Sequence, residues 1–112
     1  MPLNNPLQSL TVTTGSYTGD NSANRAIPHG GTGKPYLVIV SMMGNSDAYG
    51  GVIGLMFDDT YHRWSKTPGG ANSSLSVTVM NTTNFYVGNA TDYGNSFNSN
   101  SLVYHWIAFF VS

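Results

Sequence analysis

The 112-residue chain has no cysteine, no glutamate and no long apolar run. Without cysteine, disulfides and thiolate metal sites are excluded. A helix that crosses a bilayer needs about 20 successive apolar residues, so no membrane insertion is expected. The start, Met1 to Pro6, lacks a basic region followed by an apolar stretch, so no secretory leader is expected. Charge is also scarce, at 8% of residues, against about 25% in an average domain. Four Lys and Arg against five Asp leave a net charge of -1. Binding nucleic acid requires clustered cations to neutralise phosphates, so nucleic acid is not expected as a partner. With glutamate absent, a paired-carboxylate hydrolase would depend on aspartate alone.

What remains is a surface of Asn, Ser, Thr, Gly and Tyr. Such an uncharged polar surface suits extracellular or virion proteins that pack into assemblies. Residues that favour helices are few, and no segment carries a helical apolar stripe. Short β-like runs alternate instead with Gly, Asn, Pro and Ser clusters. Leu10 to Thr14 is rich in β-branched residues. Arg25 to Ile27 reads as a short edge segment ended by Pro28, which lacks a backbone donor. Pro35 to Met43 is nearly continuous apolar sequence, the pattern of a strand covered on both faces. Val52 to Phe57 is another strand, and Tyr61 to Trp64 returns from it after a turn at Asp58 and Asp59. Ser74 to Met80 alternates cleanly, Asn81 to Asn84 turns, and Phe85 to Val87 returns. Leu102 to Val111 is a long aromatic last strand with large residues on both faces. Six or seven such strands imply an all-β, antiparallel β-sandwich. Residues 1–14 are expected to form an N-terminal arm and first strand, and residues 15–112 a single sandwich domain. One face of the last strand should meet the core. The other needs a second cover, for which a neighbouring subunit is the natural candidate.

The segment Gly30-Gly31-Thr32-Gly33-Lys34 superficially looks like a phosphate-binding loop. A Walker loop requires glycine at position 28 and Ser or Thr at position 35, before a helix. Both positions are proline, and a strand follows. The glycines instead supply positive φ in a corner, and Pro35 holds Lys34 extended.

His29, His62 and His105 form no close metal-ligating pair, so no metal or other cofactor is expected. No nucleophile elbow of the G-x-S-x-G kind occurs, and Asp58 and Asp59 suit turn capping better than paired catalysis; the chain is not expected to be an enzyme. The loops around Asp47-Ala48-Tyr49-Gly50 and Asp92-Tyr93-Gly94 share an order of Asp, Tyr, Gly. Asp can hydrogen-bond sugar hydroxyls and Tyr can stack on a sugar face. Asp47, Tyr49, Asp92 and Tyr93 are therefore candidate glycan ligands; the alternative is Asx turns with a packing tyrosine.

Two stretches carry a family resemblance. YTGDNSANRAIPHGGTGKPYLVIV resembles a segment of small bacteriophage tail, fibre and head-associated proteins. SLSVTVMNTTNFYVGNATDYG, followed by NSLVYHWIAFF, is similar to the H-type lectin domain, with Thr82 to Val87 and Val103 to Ala108 in the places of its turn-and-strand and closing strand. The resemblance implies a six-stranded antiparallel sandwich that forms a homotrimer, located in the virion beside other capsid or tail proteins. It implies a capsid decoration protein or a head or tail appendage. The alternative is a lectin-like module that binds host surface glycans. Tyr104, Trp106, Phe109 and Phe110 are the expected subunit-interface residues.

Overall fold

The computed structural model describes residues 9–41, 53–57, 60–64, 79–91, 93–94 and 96–111, with backbone alone for 60–64. Seven strands occur among them and no helix: β1 (Leu10–Thr18), β2 (Arg25–Pro28), β3 (Leu37–Ser41), β4 (Ile53–Phe57), β5 (Thr60–Trp64), β6 (Asn84–Val87) and β7 (Val103–Val111). They form a five-stranded sheet in the order β1-β7-β3-β4-β5 and a two-stranded sheet of β2 and β6. Every pairing is antiparallel. The all-β, sandwich-like reading of the sequence therefore holds.

The strands form where expected, with shifted ends. β1 continues past residue 14 to Thr18 as part of the same sheet. β4 and β5 pair with Phe57 opposite Thr60; the turn expected at Asp58 and Asp59 lies outside the described residues. The alternating run Ser74 to Met80 lies mostly outside the described residues; its last residue, Met80, bridges to Phe85.

Period-two alternation decides what the five-stranded sheet buries. Its inner face carries Tyr17, Val38, Val40, Met56, Tyr104, Trp106, Ala108 and Phe110, all buried. The small sheet answers with Ile27, Phe85 and Val87. Phe85 meets Trp106 edge-on, with ring centroids 5.3 Å apart. Strand β3 is fully covered on one side only: Val38 and Val40 are buried, whereas Leu37, Ile39 and Ser41 are half-exposed on the other. The expectation that both its faces are covered fails within a single chain.

Phe97 closes one end of the core from a loop. Its φ of 61° is left-handed, which costs about 1–2 kcal/mol. Burying the ring against Tyr104, with centroids 6.2 Å apart, returns about 1.5–3 kcal/mol. Gly54 makes this possible, because a Cβ there would lie 2.5 Å from the Phe97 ring.

The abundant Asn residues work in turns. Asn81 Oδ1 accepts from the N–H groups of Thr83 and Asn84 at 2.9 and 2.8 Å. Asn89 Oδ1 accepts from the Thr91 N–H at 2.9 Å. Each side chain replaces a backbone turn bond.

Candidate functional site

The corner at residues 29–35 is built as a support for β3. Gly30 and Gly33 have φ of 72° and 83°, the left-handed values that glycine adopts without strain. Gly31 is needed for space, since a Cβ there would lie 2.2 Å from the Phe110 ring. His29 is buried and spends both ring nitrogens on the loop. Nδ1 accepts from the Gly31 N–H at 3.1 Å, so the proton sits on Nε2, which donates to the Asn81 carbonyl at 3.0 Å. The ring also stands edge-on to Phe110, 5.1 Å between centroids. His29 clamps the corner to the β6 turn; neither nitrogen is left for a ligand.

One end of the molecule is a polar node that joins the β1–β2 loop to the β6–β7 loop. Asn98 is fully buried at its centre. Its Nδ2 donates to Asp20 Oδ1 at 2.9 Å and to the Ser22 carbonyl at 2.8 Å. Its Oδ1 accepts from the Asp20 N–H at 3.3 Å and from Arg25 Nη1 at 3.1 Å. Arg25 lies over the Tyr17 ring at 5.2 Å, and Tyr17 donates its hydroxyl to the Phe97 carbonyl at 2.6 Å. Burial pushes the Tyr17 phenol well above its ordinary value, helped by Tyr104 and opposed by Arg25. Hydrogen bonding from Ser22, then from Asn98, holds the Asp20 carboxyl below the usual carboxylate range. Every polar atom of the Asn98 amide has a partner, so the node braces the loops.

This node also places one expected glycan residue. Tyr93 is half-buried, and its carbonyl accepts from the Asn98 N–H at 3.1 Å. Asp47, Tyr49 and Asp92 lie outside the described residues. Among the described residues no cluster of three metal-ligating side chains occurs.

The outer face of the five-stranded sheet is the least expected surface. Cross-strand registers arrange it in rows. Leu10 faces Val111, and Val12 faces Phe109 and then Leu37. Thr14 is followed by Ile107, Ile39 and Leu55. Ser16 is followed by His105, Ser41 and Ile53. Leu10, Val12, Val111 and Phe57 are 64%, 45%, 46% and 43% exposed. The described side chains of this face include no Asp, Glu, Lys or Arg. A shallow groove of about 460 Å³ crosses its middle, lined by Thr14, Ser16, Ile39, Ser41, His105 and Ile107 among others. The described side chains thus give this face a contiguous surface that is largely apolar and uncharged.

The expected interface set needs correction against this geometry. Tyr104, Trp106 and Phe110 point inward and belong to the chain's own core. Only Phe109 stands on the outer face, half-buried. Neighbouring residues of one strand cannot share a face, so Phe109 and Phe110 are separated by the sheet itself. Sequence reasoning missed Ile107, Ile39 and Leu55 as outer-face residues; the strict alternation of β7 was a signal that could have found Ile107, whereas Ile39 and Leu55 stand in nearly continuous apolar runs that hide their face. Compared with protein-family models, with curated proteins and with solved structures, the chain matches none.

Proposed function

We propose that this protein is a structural component of a bacteriophage virion, a capsid decoration protein or a head or tail appendage, acting as a homotrimer of H-type-lectin-like sandwiches. The observation that carries the reading is the uncharged apolar outer face of the five-stranded sheet. A low-charge chain of this size buries a limited core on its own, and covering Phe109, Ile107, Ile39 and Leu37 with neighbouring subunits removes that apolar surface from water. The resemblance of residues 17–40 to phage virion proteins agrees with this use of the surface. The mechanism is mechanical. Subunits meet over the outer face, the residues before β1 reach neighbouring virion proteins, and the braced loops at the Asn98 end face solvent.

Quantifying the chain in purified virions tests the reading. Copy numbers in proportion to capsomers support decoration, and a few copies support an appendage. Absence from the particle overturns it. A thermal-shift screen against simple sugars separates the lectin-like alternative, because a bound sugar stabilises only the folded state. A melting temperature raised by millimolar sugar, and abolished by Tyr93→Ala, favours host-glycan binding through the Tyr93 loop.

A further inference from the structure

Strand β1 is an edge of the five-stranded sheet, and its open side has a defined length. The Gly19 N–H donates to the Leu102 carbonyl at 2.7 Å, extending the β1–β7 register by one step. Antiparallel ladder bonds fall on alternate residues. Thr11, Thr13, Gly15 and Tyr17 therefore turn their backbone groups toward β7. Leu10, Val12, Thr14, Ser16 and Thr18 turn theirs outward. The Thr18 carbonyl bears this out, since it accepts from Arg25 Nη1 at 2.7 Å instead of from β7. Arg25 thus terminates the open edge, which runs from Leu10 to Ser16. Among the described residues nothing bonds the outward backbone groups of Leu10, Val12, Thr14 and Ser16.

This edge lacks the usual protection. Proteins guard edge strands with charge, proline, bulges or shortness. β1 is nine residues long, with no charged residue and no proline, and its register with β7 is unbroken. A second, independent observation falls at its centre. Thr13 Oγ1 is the buried side-chain polar atom without a hydrogen-bond partner among the described residues. Thr13 is the midpoint of Leu10 to Ser16.

We propose that the edge is completed by β1 of a second copy, antiparallel, about a twofold axis at Thr13. Leu10 of each copy then lies opposite Ser16 of the other, and Val12 opposite Thr14. These are the residues whose backbone groups point outward, so they exchange ladder bonds. Thr13 lies opposite Thr13 in a pair without backbone bonds, where Cβ atoms come within about 4.5–5.5 Å. Oγ1 is buried in the isolated chain, so a turn about χ1 brings the two hydroxyls together, where one donates to the other and the orphaned Oγ1 gains a partner. The contact is isologous, as a twofold requires. It uses the sheet edge, whereas the proposed trimer uses the sheet face, so the two can coexist as a pair of trimers.

Native mass spectrometry of the unmodified chain and of Thr14→Pro tests the proposal. The Thr14 N–H points to the open edge, so proline there removes a donor from the new contact and none from the β7 ladder. Thr11→Lys, at an exposed position on the opposite side of the sheet from the proposed trimer contact, adds a gatekeeping charge with no backbone change, and decides the matter if the proline variant fails to fold by circular dichroism. An unmodified mass of twice the 12.0 kDa chain, halved by either folded variant, supports edge pairing and removes the trimer. Six times the chain mass, halved to three times, supports both. A species of three chains that neither variant changes overturns edge pairing and leaves the trimer standing. A monomer overturns both, and an even-numbered assembly that survives both folded variants overturns edge pairing.

Discussion

Asn98 and Asp20 hold each other reciprocally across 78 residues of sequence: the amide Nδ2 donates to the Asp20 carboxylate at 2.9 Å, and the amide Oδ1 accepts from the Asp20 N–H at 3.3 Å. Through this pair the β1–β2 loop is fixed to the loop that enters β7.

Asn98→Ala is expected to destabilise the fold by about 2–3 kcal/mol, because buried groups around the amide lose their partners. Urea unfolding should show a lower midpoint with an unchanged slope. Asn98→Asp should be no better, since it loses the Nδ2 donor and sets a second carboxylate beside Asp20. A midpoint unchanged in both variants would show that the node does not brace the loops.

Two groups of this region set opposite pH limits. The folded Asp20 pKa lies below its ordinary 3.8. Its contribution is therefore present above that value and is lost as pH falls through the lowered folded pKa. Tyr17 is shifted upward from 10.0 by burial, so its contribution is present below pH 10 and is lost as pH rises toward the folded pKa. Asp20→Asn should flatten the acid limb of a stability–pH curve measured by denaturant titration. Tyr17→Phe should flatten the alkaline limb and cost about 1 kcal/mol at neutral pH through loss of its bond to the Phe97 carbonyl. Acid and alkaline limbs that keep their slopes in these variants would contradict the assignments.

The two glycines of the β3 corner should differ in kind. Gly33→Ala meets open space and pays only left-handed strain, about 1–2 kcal/mol. Gly31→Ala drives a methyl into the Phe110 ring, an overpacking cost of about 1–3 kcal/mol. Phe110→Leu should therefore relieve Gly31→Ala and leave Gly33→Ala unaffected in a double-mutant cycle. Equal coupling to both glycines would rule out the packing explanation.

The strands and the corner were legible because each depends on local chemistry. Val and Thr runs make β1, two prolines exclude a phosphate loop around Gly30 to Lys34, and glycines supply the positive φ that the structure shows. The Asn98 node was not legible, because its partners Asp20 and Ser22 are 76 to 78 residues away and Asn is common throughout the chain. The last strand was legible in extent but not in orientation. Its large residues on both faces were evident, but the interface set was drawn from both, whereas alternation sends Tyr104, Trp106 and Phe110 into the core and leaves Phe109 with Ile107 outside. Of the expected sugar-binding residues, only Tyr93 falls within the described structure, where its carbonyl serves the Asn98 brace.

The central claim is that the outer face of the five-stranded sheet is covered by other copies of the chain, and sedimentation equilibrium at micromolar concentration tests it most directly. The account predicts a mass three times that of the 12.0 kDa chain, or six times where sheet edges also pair. Phe109→Ser should lower that mass while the near-ultraviolet dichroism of buried Trp106 persists, because a polar group in an apolar contact lacks compensation. A folded 12.0 kDa monomer for the unmodified protein would contradict the account.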